Sequence, residues 1–216
     1  MTPLLIVVDF DGTITEQDTL DELCRRLAPG VYEEVEVDLR EGRITLHECI
    51  RREFEPVSGD HDEIVAWAVN RARVRRGFAD FVRAAEAEGH RVVVVSSGFE
   101  SVIRPVLERE GVGHVELLAH DVRFGLDGSE VIFRSGDACD ECGEECKRPV
   151  VRSLDGDRPT VYVGDGWSDR CGAQMADLVF ARGSLARYLD EEGVAYVPFD
   201  DLLDVREGLR RYLAPA

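Results

Sequence analysis

Three strand-length apolar runs in this chain each stop abruptly in polar or glycine-rich text. Pro3 to Val8 (PLLIVV) gives way to Asp9-Phe10-Asp11-Gly12-Thr13, and Arg91 to Val95 to Ser96-Ser97-Gly98-Phe99. Thr160 to Val163 gives way to Gly164-Asp165-Gly166-Trp167-Ser168-Asp169. Continuous apolar runs of this length suit strands buried on both faces, the pattern of a parallel sheet. In such a sheet ligands bind beyond the carboxyl ends of the strands. Taken singly, Asp-Gly or Ser-Gly is an ordinary turn. Three such stretches, all at strand ends, point to one shared site.

The rest of the chain supports that frame. Leu20, Leu23, Cys24 and Leu27 recur at helical spacing, and Pro29-Gly30 closes their segment. Val31–Leu39, Ile44–Phe54 (with Thr45 as cap) and Ile64–Val69 read as further helices, with no strand between them. Strand and helix then alternate: helices over Phe78–Glu88 and Val102–Glu110, strands over Val115–Ala119, Leu178–Ala181 and Ala195–Val197, a helix over Asp169–Ala176, and a C-terminal helix after the last strand. Val122–Phe124 and Val131–Phe133 flank Asp127-Gly128 as a short hairpin. The expected fold is α/β: a three-layer, Rossmann-like parallel sheet with an inserted helical unit and a β-hairpin. Residues 1–15 and 76–216 form its core and 16–75 the helical cap.

Charge narrows the function. Over 216 residues, 26 basic side chains face 44 acidic ones, a net charge of −18. That excess excludes nucleic acid and anionic membrane as main partners, since both are bound by basic surfaces. Apolar runs such as Leu4–Val8 and Val92–Val95 fall far short of a bilayer span. No basic segment precedes the first of them, as a signal peptide requires, so a cytoplasmic location is expected. Every basic side chain except Lys147 is arginine. A compact, rotatable ammonium is the exception in a chain of planar guanidinium forks.

The polar text suggests chemistry. Asp9 and Asp11 lie two apart, so in extended backbone they leave one face. Asp165 and Asp169 add two carboxylates from another strand end. Four convergent carboxylates do not stay ionised together without a cation. Mg2+ is a hard ion held by one or two carboxylates together with substrate phosphate and water. A phosphoryl group would take hydrogen bonds from the Ser96 hydroxyl, from N–H groups around Ser97 and Gly98, and from Lys147. An EF-hand reading fails on spacing, with glycine fourth from Asp9 and Leu20 at the twelfth position. A P-loop fails because Lys147 lacks the required glycine and Ser/Thr context.

With DFDGT at Asp9–Thr13, Ser96 after VVVV, then Lys147 and GDGWSD at Gly164–Asp169, the chain resembles the haloacid-dehalogenase superfamily of aspartate-nucleophile phosphatases. The helical insert stands where the phosphoserine-phosphatase-like branch has its C1 cap. The resemblance implies that Asp9 is the nucleophile, forming an aspartyl-phosphate, and Asp11 the general acid and then base. It implies Mg2+ on Asp9, the Asp11 carbonyl and Asp165, with Asp169 as ligand or orienter. Ser96 and Lys147 would hold the phosphoryl group. An acid at Asp11 suits an alkoxide leaving group, hence a phosphatase rather than a dehalogenase, acting on a small phosphorylated metabolite.

Within the branch, DFDGTIT with Asp18 soon after, the cysteine-rich run into Lys147, and ADLVFAR at Ala176–Arg182 are most similar to the methionine-salvage phosphatases of an enol phosphate. Arg148 between Lys147 and Pro149, and Ser97 in place of a frequent glycine, depart from that pattern. A rival is phosphoserine, because the cap text EGRITLHECIRREF puts Arg51 where a carboxylate-binding arginine would stand. Phosphocholine-type substrates are a third reading.

Cys139, Cys142 and Cys146 form C-x2-C-x3-C directly before Lys147. Zn2+ on three thiolates and a fourth ligand such as His120 is one reading, and reduced thiols or a labile disulfide the other. Cys24, Cys49 and Cys171 are expected in the core. Two non-enzymatic classes stand beside the phosphatase: a phosphate- or metal-binding protein on the same fold, and a thiol-responsive regulator.

Overall fold

The computed structural model describes residues 2–134, 136–154, 156 and 158–214. Seven strands form one sheet in the order β4-β3-β2-β1-β5-β6-β7. They are β1 (Leu5–Val8), β2 (Arg91–Phe99), β3 (Glu116–Gly125), β4 (Gly128–Ile132), β5 (Thr160–Gly164), β6 (Leu178–Ala181) and β7 (Val197–Pro198). All pairings are parallel except the β3–β4 hairpin. Central β1 is flanked by β2 and β5, so the chain leaves it toward both edges. That reversal opens a crevice at the carboxyl end of β1, where Asp9 begins.

The period-2 geometry of the strands divides the apolar side chains between two layers. Leu4, Ile6 and Val8 pack with Val92, Val94, Val161 and Val163 under helices α5 (Phe78–Ala87), α6 (Glu100–Arg109) and α10 (Leu202–Leu213). Leu5 and Val7 point the other way, with Val93, Val95 and Tyr162, under α7 (Lys147–Leu154), α8 (Arg170–Ala173) and α9 (Gly183–Glu192). Both faces are covered, which is why these strands read as unbroken apolar runs.

A third apolar cluster belongs to α1 (Thr19–Leu27), α2 (Pro29–Arg40), α3 (Leu46–Phe54) and α4 (His61–Arg71). It joins Leu23, Tyr32, Ile50, Phe54 and Ala68 to Val122 and Phe124 of the hairpin and to Phe99. Phe54 meets Phe99 edge-on at 4.8 Å. The segments entering and leaving these helices run side by side: Glu16 N–H donates to Arg73 C=O at 2.8 Å, and Arg75 N–H to Ile14 C=O at 2.7 Å.

Several boundaries differ from the sequence expectation. The strand expected to stop at Val95 continues to Phe99, with a register shift against β3 after Val95. Val115–Ala119 and Val122–Phe124 are one strand, β3, whose first half pairs with β2 and whose second half pairs with β4. Helices α7 and α9 are additions to the expected set. Pro149 hid α7, but it sits in the first helical turn, where no N–H is needed. The helix expected over Asp169–Ala176 is a tight turn at Trp167–Asp169 followed by the four-residue α8.

Candidate active site

Asp9 follows β1 directly and is 4% exposed. Behind it the chain makes a tight turn with Gly12 at φ +77°, where a Cβ would lie 2.3 Å from Asp165 Oδ2. Only glycine serves at both the conformation and the close approach. Arg75 anchors this turn, its guanidinium donating to the carbonyls of Gly12 (2.9 Å), Thr13 (3.0 Å) and Thr15 (3.2 Å).

Lys147, at the start of α7, is 4% exposed and donates to Asp9 Oδ1 and, at 2.7 Å, to Asp169 Oδ1. Asp169 is fully buried and takes three further hydrogen bonds: from Tyr162 O–H (2.8 Å), Asp165 N–H (3.0 Å) and Gly166 N–H (2.9 Å). Four donors match the roughly four lone-pair sites of an ionised carboxylate. Asp165 Oδ1 accepts from Thr13 O–H at 2.7 Å. Among the described residues, neither Asp9 Oδ2 nor Asp165 Oδ2 takes a hydrogen bond.

Asp11 is held apart from this group. Its Oδ1 accepts from both the N–H (2.8 Å) and the O–H (2.6 Å) of Thr19 at the start of α1. Its Oδ2 lies against Gly98, where a Cβ would come within 2.7 Å. Ser96 is buried, and its Oγ accepts from Gly98 N–H at 2.9 Å, which leaves the hydroxyl proton free to donate elsewhere. Ser97 is half-buried beside it.

The carboxylates feel burial and one another. Burial first, then the charge of Asp169, pushes Asp9 well above the ordinary aspartate range, with Lys147 opposing. Burial also raises Asp11, against the Thr19 hydrogen bonds. Asp165 is pushed up to about 6 by burial and by Asp169. Burial works against the Lys147 ammonium, but Asp169 and Asp9 outweigh it and raise its pKa. Carboxylate oxygens of Asp9, Asp165 and Asp169 lie within 4.8 Å of one another. This all-oxygen, anionic donor set fits a hard divalent cation. With Asp169 saturated by hydrogen bonds, the open oxygens for it are those of Asp9 and Asp165.

Asp9, Asp11, Ser96, Ser97, Gly98 and Asp165 form the floor of a cavity of about 450 Å3 roofed by the helices α1–α3, with Lys147 and Asp169 buttressing Asp9 from behind. Leu20, Leu39, Leu46 and Ile50 line its apolar wall, and Asp21, Glu36 and Glu53 its acidic part. Glu53 is 6% exposed, its Oε1 has no hydrogen-bond partner, and burial with the charges of Glu36 and Asp21 pushes its pKa up to about 8. Arg40 also lines the cavity and is paired with Glu36 at 3.3 Å.

The two cap residues singled out in the sequence fare differently. Asp18 lines the cavity, and its carboxylate caps α1, accepting from Leu20 and Asp21 N–H at 2.9 and 3.0 Å. Arg51 is not among the lining residues: it is exposed, ion-paired with Glu48 one turn away and stacked over Phe133. Arg51 thus faces Glu48 and the hairpin rather than the cavity, away from where carboxylate binding would place it.

The cysteines also depart from expectation. Cys171, assigned to the core, is half-buried and brings its Sγ within 4.8 Å of those of Cys139, Cys142 and Cys146. His120 does not join them. Its Nδ1 accepts from Arg134 N–H at 3.0 Å, and its ring packs edge-on against His47 and Phe133.

Sequence reasoning missed Arg75, Thr19, Tyr162 and Glu53. The first three act through a neighbour's backbone or carboxylate, which no spacing reveals. Glu53 carries a faint signal, as an acid on the apolar face of α3 between Ile50 and Phe54.

Comparison with known proteins agrees with this geometry. Residues 6–174 match the haloacid dehalogenase-like hydrolase family model. The 2-hydroxy-3-keto-5-methylthiopentenyl-1-phosphate phosphatase of Exiguobacterium sp. is 30% identical over 210 residues, spanning 93% of this chain and 94% of that protein. Its namesake from Microcystis aeruginosa is 29% identical over 206 residues, spanning 95% and 97%. A solved phospho-aspartyl intermediate analogue of phosphoserine phosphatase superposes with a TM-score of 0.73 at 21% identity, covering 99% of this chain and all of that one. The chain belongs to the haloacid dehalogenase-like hydrolases.

Proposed function

We propose that the chain hydrolyses a small-metabolite phosphomonoester through a phosphorylated Asp9, with an enol phosphate of the methionine-salvage type as its substrate. The observation that carries the reaction is the division between Asp9, tied to Lys147, and Asp11, held separately by Thr19. One carboxylate is oriented as a nucleophile. The other is free at Oδ2 to move a proton.

In the first step an Asp9 oxygen attacks phosphorus, the P–O ester bond breaks, and Asp11 donates its proton to the departing oxygen. The raised pKa of Asp11 favours the protonated form this step needs. In the second step Asp11 takes a proton from water as that water attacks phosphorus, the bond to Asp9 breaks, and phosphate leaves. Lys147, the Ser96 hydroxyl and the Ser97 N–H stabilise the transferring group, where preorganised donors supply much of the rate, while the Gly98 N–H, expected as a further donor, is bonded to Ser96 Oγ and orients that hydroxyl. Asp9, Asp165 and the Asp11 carbonyl would hold Mg2+, with Asp169 orienting Lys147 and the Gly164–Asp169 loop. Bound there, the ion would supply charge neutralisation for the phosphoryl oxygens.

Helices α1–α4, within residues 16–75, serve as the cap that selects the alcohol. Its wall supports the choice of substrate. Leu20, Leu39, Leu46 and Ile50 suit a thioether tail, and a protonated Glu53 suits a hydroxyl or carbonyl. The names of the 30%-identical relatives point the same way. Arg40, the cation lining the cavity, is already paired with Glu36, which disfavours the carboxylate of phosphoserine.

Phosphate release from a panel of phosphomonoesters, with and without Mg2+, tests the reading with Asp9→Asn protein as the blank. Fastest Mg2+-dependent turnover of the enol phosphate is expected. Preference for phosphoserine or phosphocholine would overturn the substrate assignment, and silence across the panel would overturn the reaction.

A further inference from the structure

Next to the oxygen-lined site lies a sulfur-lined one. The Sγ atoms of Cys139, Cys142, Cys146 and Cys171 all lie within 4.8 Å of one another, and all four are free thiols. A tetrahedral zinc with Zn–S bonds of about 2.3 Å has its four sulfurs about 3.8 Å apart. The cluster therefore needs only a small contraction to close on an ion.

The backbone turn at Cys139 is shaped to orient its sulfur as a ligand. Cys139-Asp140-Glu141-Cys142-Gly143 folds into a tight knuckle with Gly143 at φ +73°, a conformation that favours glycine. Glu141 N–H points at Cys139 Sγ (3.4 Å), and Gly143 N–H donates to Cys139 C=O (2.9 Å). The Glu141 N–H aimed at sulfur stabilises the anionic form of Cys139 and orients it as a ligand, and the Gly143 bond closes the turn. Arg148 and Arg152 brace the knuckle through Asp140 and Glu141, at 2.8–3.3 Å. The two guanidiniums neutralise the Asp140 and Glu141 carboxylates, so these acids add no net negative charge beside a zinc bound by four thiolates.

We propose that these four cysteines form a structural zinc site that clamps the active-site lysine in place. Four protein ligands fill a tetrahedral zinc and leave no open position, so the ion itself takes no part in turnover. Its position gives it a purpose. Cys146 immediately precedes Lys147, and Cys171 follows Asp169 by two residues. Zinc would tie the start of α7 to the start of α8, fixing the 2.7 Å contact between Lys147 and Asp169. Soft thiolates at this site and hard carboxylates at the other select different metals, so the two do not compete.

The test is metal content and thiol chemistry, neither of which depends on turnover, so its failure is distinct from failure of the phosphatase reading. Untagged protein purified from zinc-supplemented cells without chelator is expected to hold about one zinc per chain. Cys142→Ser and Cys171→Ser should each bring this below about a tenth, whereas Cys24→Ala, in the helical cap, should retain it. Cobalt titration of metal-stripped wild-type protein needs no variant to fold. It should show thiolate-to-cobalt charge-transfer bands with tetrahedral d–d absorption. Chelation should lower Tm and raise KM for the phosphoester while Mg2+ stays saturating. Four freely titrating thiols with no cobalt spectrum, a mass decrease from disulfide formation, or stoichiometric iron in place of zinc would each overturn the assignment. So would loss of zinc on His120→Ala with retention in Cys171→Ser.

Discussion

The two ends of the large cavity are built on opposite principles. At the floor each acid is held through one oxygen or more: Asp169, behind the floor, takes four hydrogen bonds, Lys147 is locked between Asp9 and Asp169, and Asp11 is held twice by Thr19. Among the described residues, Asp9 Oδ2, Asp165 Oδ2 and Asp11 Oδ2 stay open. At the roof, Glu53 is buried with an oxygen that has no partner, among other acids. An unpartnered buried oxygen costs about 1–3 kcal/mol, a cost a bound molecule can relieve. The floor is oriented before anything binds, its open oxygens already aimed, whereas the roof is oriented by its ligand. Chemistry common to many phosphoesters is preorganised, and recognition of one of them is left to be satisfied on binding.

Breaking the floor should be the most damaging change. Asp9→Asn keeps the shape but removes the nucleophile, so kcat is expected to fall by at least about 10^3-fold. Tm should hold or rise, because Asp9 lies beside the like charge of Asp169 and its burial is unfavourable. Asp9→Asn protein with more than about a tenth of wild-type turnover would end the proposed mechanism. Asp11→Asn comes next, with a loss of about 10^2–10^4-fold for alkyl phosphates. The loss should be much smaller for aryl or enol phosphates, whose leaving oxygens need less help from a proton. Equal losses across both classes, measured as kcat/KM, would deny Asp11 its role as acid.

The same contrast explains what could be read from the sequence. The floor was legible because its residues sit at strand ends, where an apolar run meets Asp9, Ser96 or Gly164 and topology brings those ends together. Lys147 stood out only as the sole lysine; the helix that begins with it was hidden by Pro149. The roof was not legible. Whether an arginine on α3 faces the cavity or the hairpin depends on one or two residues of helix phase, about 100° each, and on its ion pair. Thus Arg51 looked plausible and Glu53 went unnoticed. Cys171 was missed for a similar reason: it joins Cys139, Cys142 and Cys146 only once α8 packs beside α7.

The roof can be tested by its pH dependence. Glu53 titrates at about 8 in the fold against 4.5 for the free side chain, so folding favours its neutral form. Its contribution is complete below about pH 4.5 and is lost as pH rises through about 8, when a buried charge must form beside Glu36 and Asp21. Glu53→Gln keeps a neutral, hydrogen-bonding amide. Relative to wild type, the variant should gain about 1–4 kcal/mol of stability on going from about pH 5 to about pH 9. Urea unfolding at the two pH values measures the gain. An unchanged difference would mean that Glu53 reaches solvent and that the roof is not the dry, incomplete surface described here.

Arg51→Ala should have the smallest effect, and it separates the two substrate readings. The side chain is 53% exposed and its ion pair with Glu48 joins residues three apart on one helix, an arrangement worth about 0–1 kcal/mol. Stability should change by less than about 1 kcal/mol, and kcat/KM for every phosphoester by less than about twofold. A loss of turnover confined to phosphoserine would show that the guanidinium swings from Glu48 into the cavity when a carboxylate is present. The polar end of the roof would then be a cation, and Glu53, opposite in sign once ionised, would be its counter-charge rather than the group that recognises substrate.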